Sequence, residues 1–263
     1  MEPPLLDVQH LTVTFAGERS TTTAVDDVSF QVGAGETVGL VGESGSGKSV
    51  TAFSILRLLQ PPGRVTRGKV IFQGRDLLEL PEREMRAVRG AGISLIFQEP
   101  MTALNPIMRV GDQIAEALIV HGLASAEKAR TRAVELLEAV QMTDAARRVR
   151  DYPHQLSGGM RQRVMIAIAL ACHPPLVIAD EPTTALDVTI QAQVLDLLRE
   201  LKARYNLALL LITHDFGVIA EMADRVAVMY KGRLVEQGPV RQILREPSHE
   251  YTRSLLAAVP GMR

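Results

Sequence analysis

The residues of this chain best suited to chemistry lie in one run, Gly42-Glu43-Ser44-Gly45-Ser46-Gly47-Lys48-Ser49. Three glycines let a backbone turn closely around an anion, and amides at the start of a helix carry partial positive charge. A lysine in the place of Lys48 would reach the β- and γ-phosphates of a nucleotide, and the Ser49 hydroxyl would sit on Mg²⁺. The pattern G-x-x-x-x-G-K-S has this meaning only between a strand and a helix. Both flanks are present: Thr37-Val38-Gly39-Leu40-Val41 is apolar and strand-like, and residues 50–56 read as a helix. A plain glycine-rich turn would have no use for Lys48 and Ser49.

Other positions carry groups of a matching kind. The apolar run 92–98 ends in Gln98, and a glutamine at the carboxyl end of a buried parallel strand faces the crevice where α/β sheets bind ligands. Ser157-Gly158-Gly159 precedes a mostly apolar helical stretch and offers a second anion-binding concavity. The plainer alternative makes Ser157 an ordinary helix N-cap and the glycines a turn, and it is the weaker reading even for this segment alone. Four apolar residues, Leu176 to Ala179, run into Asp180-Glu181. Downstream of a phosphate loop, such an Asp anchors Mg²⁺ and the adjacent Glu polarises a water; surface salt-bridging acids would fit poorly behind a core strand. His214 follows the apolar run 207–213 at the presumed nucleotide edge, which favours a functional reading over a structural one. Phe15 reads either as core or as a ring stacked on a purine.

These groups need a scaffold of alternating strands and helices. Residues 5–15 alternate with the period of a strand, and residues 24–32 form a second one, so the phosphate-loop strand is not first in the chain. Pro61-Pro62-Gly63 stops the helix after the loop, residues 68–72 read as a short strand, and residues 77–88 carry charge on a helical period. From about 105 to 150 the strand signals vanish, and residues 110–121 and 126–140 read as amphipathic helices. Helices at 161–171 and 189–205 flank the acid-ended strand, with Val194, Leu197, Leu198 and Leu201 on one face of the second. A hairpin-like pair around Lys231-Gly232 and a helical tail broken at Pro247 complete the chain.

With 263 residues, 46% of them apolar and 22% charged, the chain suits one large α/β domain with an inserted subdomain. A net charge of −1 offers no overall basic field for nucleic acid. The single cysteine, Cys172, can build neither a disulfide nor a Cys-based metal site, which fits a reducing compartment. No apolar run approaches the roughly 20 residues a bilayer requires, and the N-terminus lacks the pattern of a signal peptide. The expectation is a soluble, cytosolic protein unless something tethers it.

The combination resembles the ATP-binding subunit of an ABC transporter over essentially the whole chain. By that resemblance 42–49 is the Walker A motif, Gln98 the Q-loop glutamine, and Leu156-Ser157-Gly158-Gly159-Met160 the signature motif. Residues 176–180 are Walker B, followed by catalytic Glu181. Ala185-Leu186-Asp187 is the D-loop and His214 the switch histidine. Phe15 stands where the family's base-stacking aromatic lies, although Tyr is usual there. A finer likeness, to importers of peptides and nickel, is carried by Phe97-Gln98-Glu99-Pro100-Met101-Thr102-Ala103-Leu104-Asn105-Pro106, by 152–163, by 179–189 and by His249-Glu250-Tyr251-Thr252-Arg253-Ser254-Leu255-Leu256. Many peptide-importing relatives add a C-terminal extension with an iron–sulfur cysteine cluster; the tail here has no cysteine, so that cofactor is not carried over.

The resemblance implies an α/β fold: a P-loop NTPase (RecA-like) core with an N-terminal antiparallel β subdomain and an inserted α-helical subdomain. Residues 1–99 and 151–236 would be the core with its β subdomain, 100–150 the helical part and 237–263 a tail. It implies ATP and Mg²⁺ as cofactors. Gly42, Glu43, Ser44, Gly45, Ser46, Gly47, Lys48 and Ser49 would bind phosphate. Ser49, Gln98 and Asp180 would serve Mg²⁺, Glu181 would be the general base, and His214 would hold the γ-phosphate. Ser157, Gly158 and Gly159 would complete the ATP site of a facing ATPase, identical or paralogous. Two permeases, contacted through the helical insertion, and an external binding protein would be the other partners, at the cytoplasmic side of the membrane. An exporter ATPase and a soluble ABC ATPase acting on nucleic acid are the alternatives; one cassette without a long heptad run or basic excess speaks against the second.

Overall fold

The structure is a computed structural model that describes residues 3–17, 20–184 and 186–257; Ala185 of the expected D-loop and the last six tail positions lie outside the described residues. In chain order the first half contains β1 (Leu6–Ala16), β2 (Thr21–Val32), β3 (Thr37–Val41), α1 (Lys48–Ile55), β4 (Gly63–Phe72), β5 (Arg75–Asp76), α2 (Glu82–Val88) and β6 (Ile93–Ile96). Then follow α3 (Pro100–Ala103), α4 (Val110–Val120), α5 (Ala126–Ala139), α6 (Ala145–Arg148), α7 (Gly158–Leu170), β7 (Leu176–Asp180) and α8 (Val188–Tyr205). The remainder is β8 (Ala208–Thr213), α9 (Phe216–Met222), β9 (Arg225–Tyr230), β10 (Arg233–Pro239), α10 (Val240–Arg245) and α11 (Glu250–Ala257). The chain divides into two compact units, residues 1–85 with 208–263, and residues 86–207.

In the first unit, β2, β1, β4 and β5 form an antiparallel sheet in that order. The alternation read in the sequence buries Leu6 and Val8 of β1, and an irregularity at His10, φ 49°, shifts its phase so that Leu11 and Val13 are buried as well. A second sheet sets β3 between β8 and β9, parallel to both, with β10 antiparallel on β9. Every residue of β3 and β8 is buried, as parallel strands covered on both faces must be. Helix α9 lies so close to β3 that a Cβ on Gly39 would meet Ile219 Cδ1 at 2.4 Å.

The second unit pairs β6 parallel to β7. Its long helix α8 buries Val194, Leu195, Leu197, Leu198 and Leu201, the stripe the 3.6-residue period predicts. Truncating a leucine of that stripe to alanine costs about 2–5 kcal/mol. Helix α7 buries seven of its 13 residues, and burial pushes the pKa of the Cys172 thiol just beyond it up.

Two expectations shift. Strand β4 starts at Gly63, not 68, because it runs beside β1 from the Phe15–Gly63 pair onward and passes through an irregularity at Gly68. Gly68 has φ 101° and the His10 carbonyl would lie 2.5 Å from its Cβ, so the glycine belongs to a bulge within the strand. The helix expected over 77–88 begins at Glu82. Leu77 instead bonds back to the Val70 carbonyl, and the Leu78 amide donates to Asp76 Oδ1 in a side-chain-closed turn.

Candidate functional site

Strand register decides which sequence-predicted residues become neighbours. In the first unit Val41 of β3 is level with Thr213 of β8 and with Val228 of β9. One step further puts Gly42, His214 and Met229 along the carboxyl edge of three parallel strands, the edge where such sheets bind ligands. In the second unit Ile96 of β6 is level with Ala179 of β7, so two steps further brings Gln98 beside Glu181. The contact is made: Gln98 Nε2 donates to Glu181 Oε2 at 3.2 Å.

The loop 42–49 is held by packing and by its own backbone. A Cβ on Gly42 would lie 2.1 Å from the Met229 carbonyl oxygen, and one on Gly47 would lie 2.5 Å from that of Ala24, so neither position admits a side chain. Gly45 and Gly47 adopt φ 79° and 104°, and at Gly45 the space beyond the missing Cβ is open. Gly47 opens α1, and its carbonyl accepts both the amide and the hydroxyl of Thr51, at 2.9 Å each. Lys48, 4% exposed, donates through Nζ to the carbonyls of Gly42 at 2.7 Å and Glu43 at 2.9 Å, closing the loop on itself. Ser46 Oγ is buried without a hydrogen-bond partner among the described residues, whereas Glu43, Ser44 and Gly45 are exposed. A buried hydroxyl left over inside a glycine loop, next to a buried ammonium, suits an anion with several acceptor oxygens. Ser49 follows in the first turn of α1.

His214 is exposed at the end of β8. Its neighbour Asp215 is a helix cap, accepting the amides of Gly217 at 2.7 Å and Val218 at 3.4 Å. Phe15 is half-buried near the end of β1, its ring over Gly63 of β4: a Cβ there would be 2.6 Å from Phe15 Cε1.

In the second unit Asp180, 2% exposed, ends β7. Glu181 turns away from the strand with φ 46°, a left-handed conformation that costs a non-glycine residue about 1–3 kcal/mol and concentrates at functional sites. Thr184 Oγ1 donates to Glu181 Oε2 at 2.8 Å, so one carboxylate oxygen accepts from both Thr184 and Gln98. Nothing in local pattern marked Thr184; its separation of three residues from an acid at a strand end is the signal that would have found it. Ser157 is an N-cap, its hydroxyl accepting the Met160 amide at 3.4 Å, and exposed Gly158 begins α7. A Cβ on Gly159 would press on Ile190 Cγ2 at 2.8 Å.

The sequence profile of the ABC transporter family matches residues 25–184. A probable peptide ABC transporter ATP-binding protein of Sinorhizobium fredii is 56% identical over 260 residues, covering 98% of this chain and 78% of the relative. The oligopeptide transport ATP-binding protein of Salmonella typhimurium is 54% identical over 258 residues, covering 98% of this chain and 77% of the relative. This chain belongs to the ABC transporter family. An ATP-binding cassette solved as a dimer in a post-hydrolysis state with ADP and Pi superposes with a TM-score of 0.80 at 30% identity, over 90% of this chain and 99% of that one. A cassette from Clostridium perfringens, part of a transporter complex, matches at 0.77 and 24% identity, over 98% and 97% of the two chains, which speaks for the fold alone. As an ABC ATPase the chain binds and hydrolyses nucleotide as a subunit of a transporter. No helix among the described residues is long and apolar enough to cross a membrane.

Proposed function

We propose that this ABC ATPase powers an importer of di- or oligopeptides, with nickel or a metallophore as the other cargo of its subfamily. The supporting observation is the high identity, over 98% of the chain, to proteins named for peptide and oligopeptide transport. It would sit peripherally at the cytoplasmic side of the membrane with two permeases, a second ATPase and an external binding protein. Residues 100–150 would dock the permeases, and 1–99 with 151–236 would be the ATP-binding core.

Loop amides and Lys48 would bind the phosphates, while Phe15 would stack on the base. Ser49, Asp180 and Gln98 present a hydroxyl, a carboxylate and an amide oxygen, hard donors that suit Mg²⁺. The metal would neutralise charge on the phosphate oxygens. Glu181 would take a proton from the water whose oxygen attacks the γ-phosphorus as the bond to ADP breaks, and His214 would hold the γ-phosphate. Ser157, Gly158 and Gly159 would clamp ATP bound to the facing ATPase from an exposed helix start.

Reconstitution with its permeases and binding protein tests the cargo. Peptide should raise ATP turnover and enter the vesicle. Uptake of nickel with no response to peptide would move the assignment to the metal branch.

A further inference from the structure

A hydrogen bond joins the tail to the phosphate loop. The Glu43 amide donates to the hydroxyl of Tyr251 on α11 at 3.0 Å, across 208 residues of sequence. Tyr251 is 9% exposed, and its ring centroid lies 4.1 Å from that of Tyr230 at the end of β9. The same peptide unit that offers the Glu43 N–H carries the Gly42 carbonyl, which accepts from Lys48 Nζ at 2.7 Å. In a trans peptide these two groups point in opposite directions. Tyr251 therefore grips one side of the plane whose other side holds the phosphate-loop lysine.

The gripping helix is itself anchored. Eight residues make a marginal helix alone. Glu236 on β10 fixes its approach, accepting the Ser248 amide and hydroxyl, both at 2.7 Å, and the His249 amide at 3.1 Å. Burial would raise that carboxyl, but the polar groups of Thr252, Ser248 and His249 facing it outweigh the cost and lower it from 4.5 to about 2. The anchor is thus charged at any pH near neutral, where charge-assisted bonds are strongest.

We propose that Tyr251 is a positioning residue for ATP binding, fixing the Gly42–Glu43 peptide plane so that Lys48 and the loop amides keep their aim, with Glu236 fixing the helix that presents it. This rests on the reading of 42–49 as the ATP loop. It gives the tail a direct effect on nucleotide affinity, although α11 lies far from the loop in sequence.

Tyr251→Phe in the full chain keeps the ring on Tyr230 and deletes only the hydroxyl. A net hydrogen bond's worth of aim predicts an ATP Kd and KM about three- to tenfold higher, with kcat within about twofold. Hydrogen exchange at the Glu43 amide should quicken without nucleotide. Glu236→Gln, which keeps the shape of the anchor, should move both readouts the same way and less. Unchanged ATP affinity and unchanged Glu43 exchange in Tyr251→Phe would overturn the proposal. So would a lowered unfolding midpoint accompanied by loss of kcat at constant KM, the pattern of a merely structural tyrosine. If Lys48→Ala leaves ATP affinity intact, the loop reading falls; if it weakens binding as expected while Tyr251→Phe changes nothing, only the tail proposal falls.

Discussion

The phosphate loop of the first unit and the Gln98–Glu181 pair of the second are built on opposite principles. The loop is fixed by backbone: glycines that admit no Cβ, a carbonyl shared by two donors from Thr51, and a lysine buried against the carbonyls of its own loop. The acid pair is fixed by side chains, with Gln98 exposed, Glu181 half-buried and one oxygen shared between two donors. Backbone fixed by packing has few alternatives, because interiors are dense and resist displacement. Side-chain hydrogen bonds near the surface are each worth about 1 kcal/mol and exchange readily. The contrast suits a division of labour in which nucleotide is held by a preformed cradle and the chemistry depends on groups able to change partners.

The division can be broken most decisively at Glu181. Glu181→Gln removes the proposed base while leaving the cradle intact, so kcat should fall about 10²–10⁴-fold with ATP affinity nearly unchanged. Normal turnover in that variant, measured by phosphate release, would remove Glu181 from the chemistry. Lys48→Ala should do the reverse: loss of a charged donor to phosphate weakens ATP binding by about 10–100-fold, read by titration. Affinity equal to that of the parent would remove the reading of 42–49 as the ATP loop. The smallest effect sharpens the picture. Thr184→Val deletes the Thr184 bond to Glu181 Oε2, so kcat should drop a few-fold at constant ATP Kd. A matching change in Kd instead would tie Thr184 to binding and blur the two halves.

Much of this was legible in sequence. The loop 42–49, the acid end of β7 and the glutamine after β6 each announce themselves by residue type at the end of an apolar run, because a buried strand requires apolar residues and its end is where polarity can return. Other features were not legible. The length of β4 depended on its pairing with β1, and the start of α2 on a turn closed by Asp76, both outside any helical or strand period. Thr184 and Tyr251 lie within runs that carry the family likeness, but nothing in those runs names Glu181 and Glu43 as their partners; each partnership is defined by what folds against it.

By itself the sequence determined which groups could do chemistry and that each stands at a strand end or helix start, since local periodicity and residue type suffice for that. Only the tertiary structure decided which of them meet. The register that sets Val41 beside Thr213, and Ile96 beside Ala179, joins segments about 80 to 170 residues apart in the chain, and no local pattern encodes a pairing across such a distance. That long-range register is what places His214 beside the phosphate loop and Gln98 in hydrogen-bonding reach of Glu181.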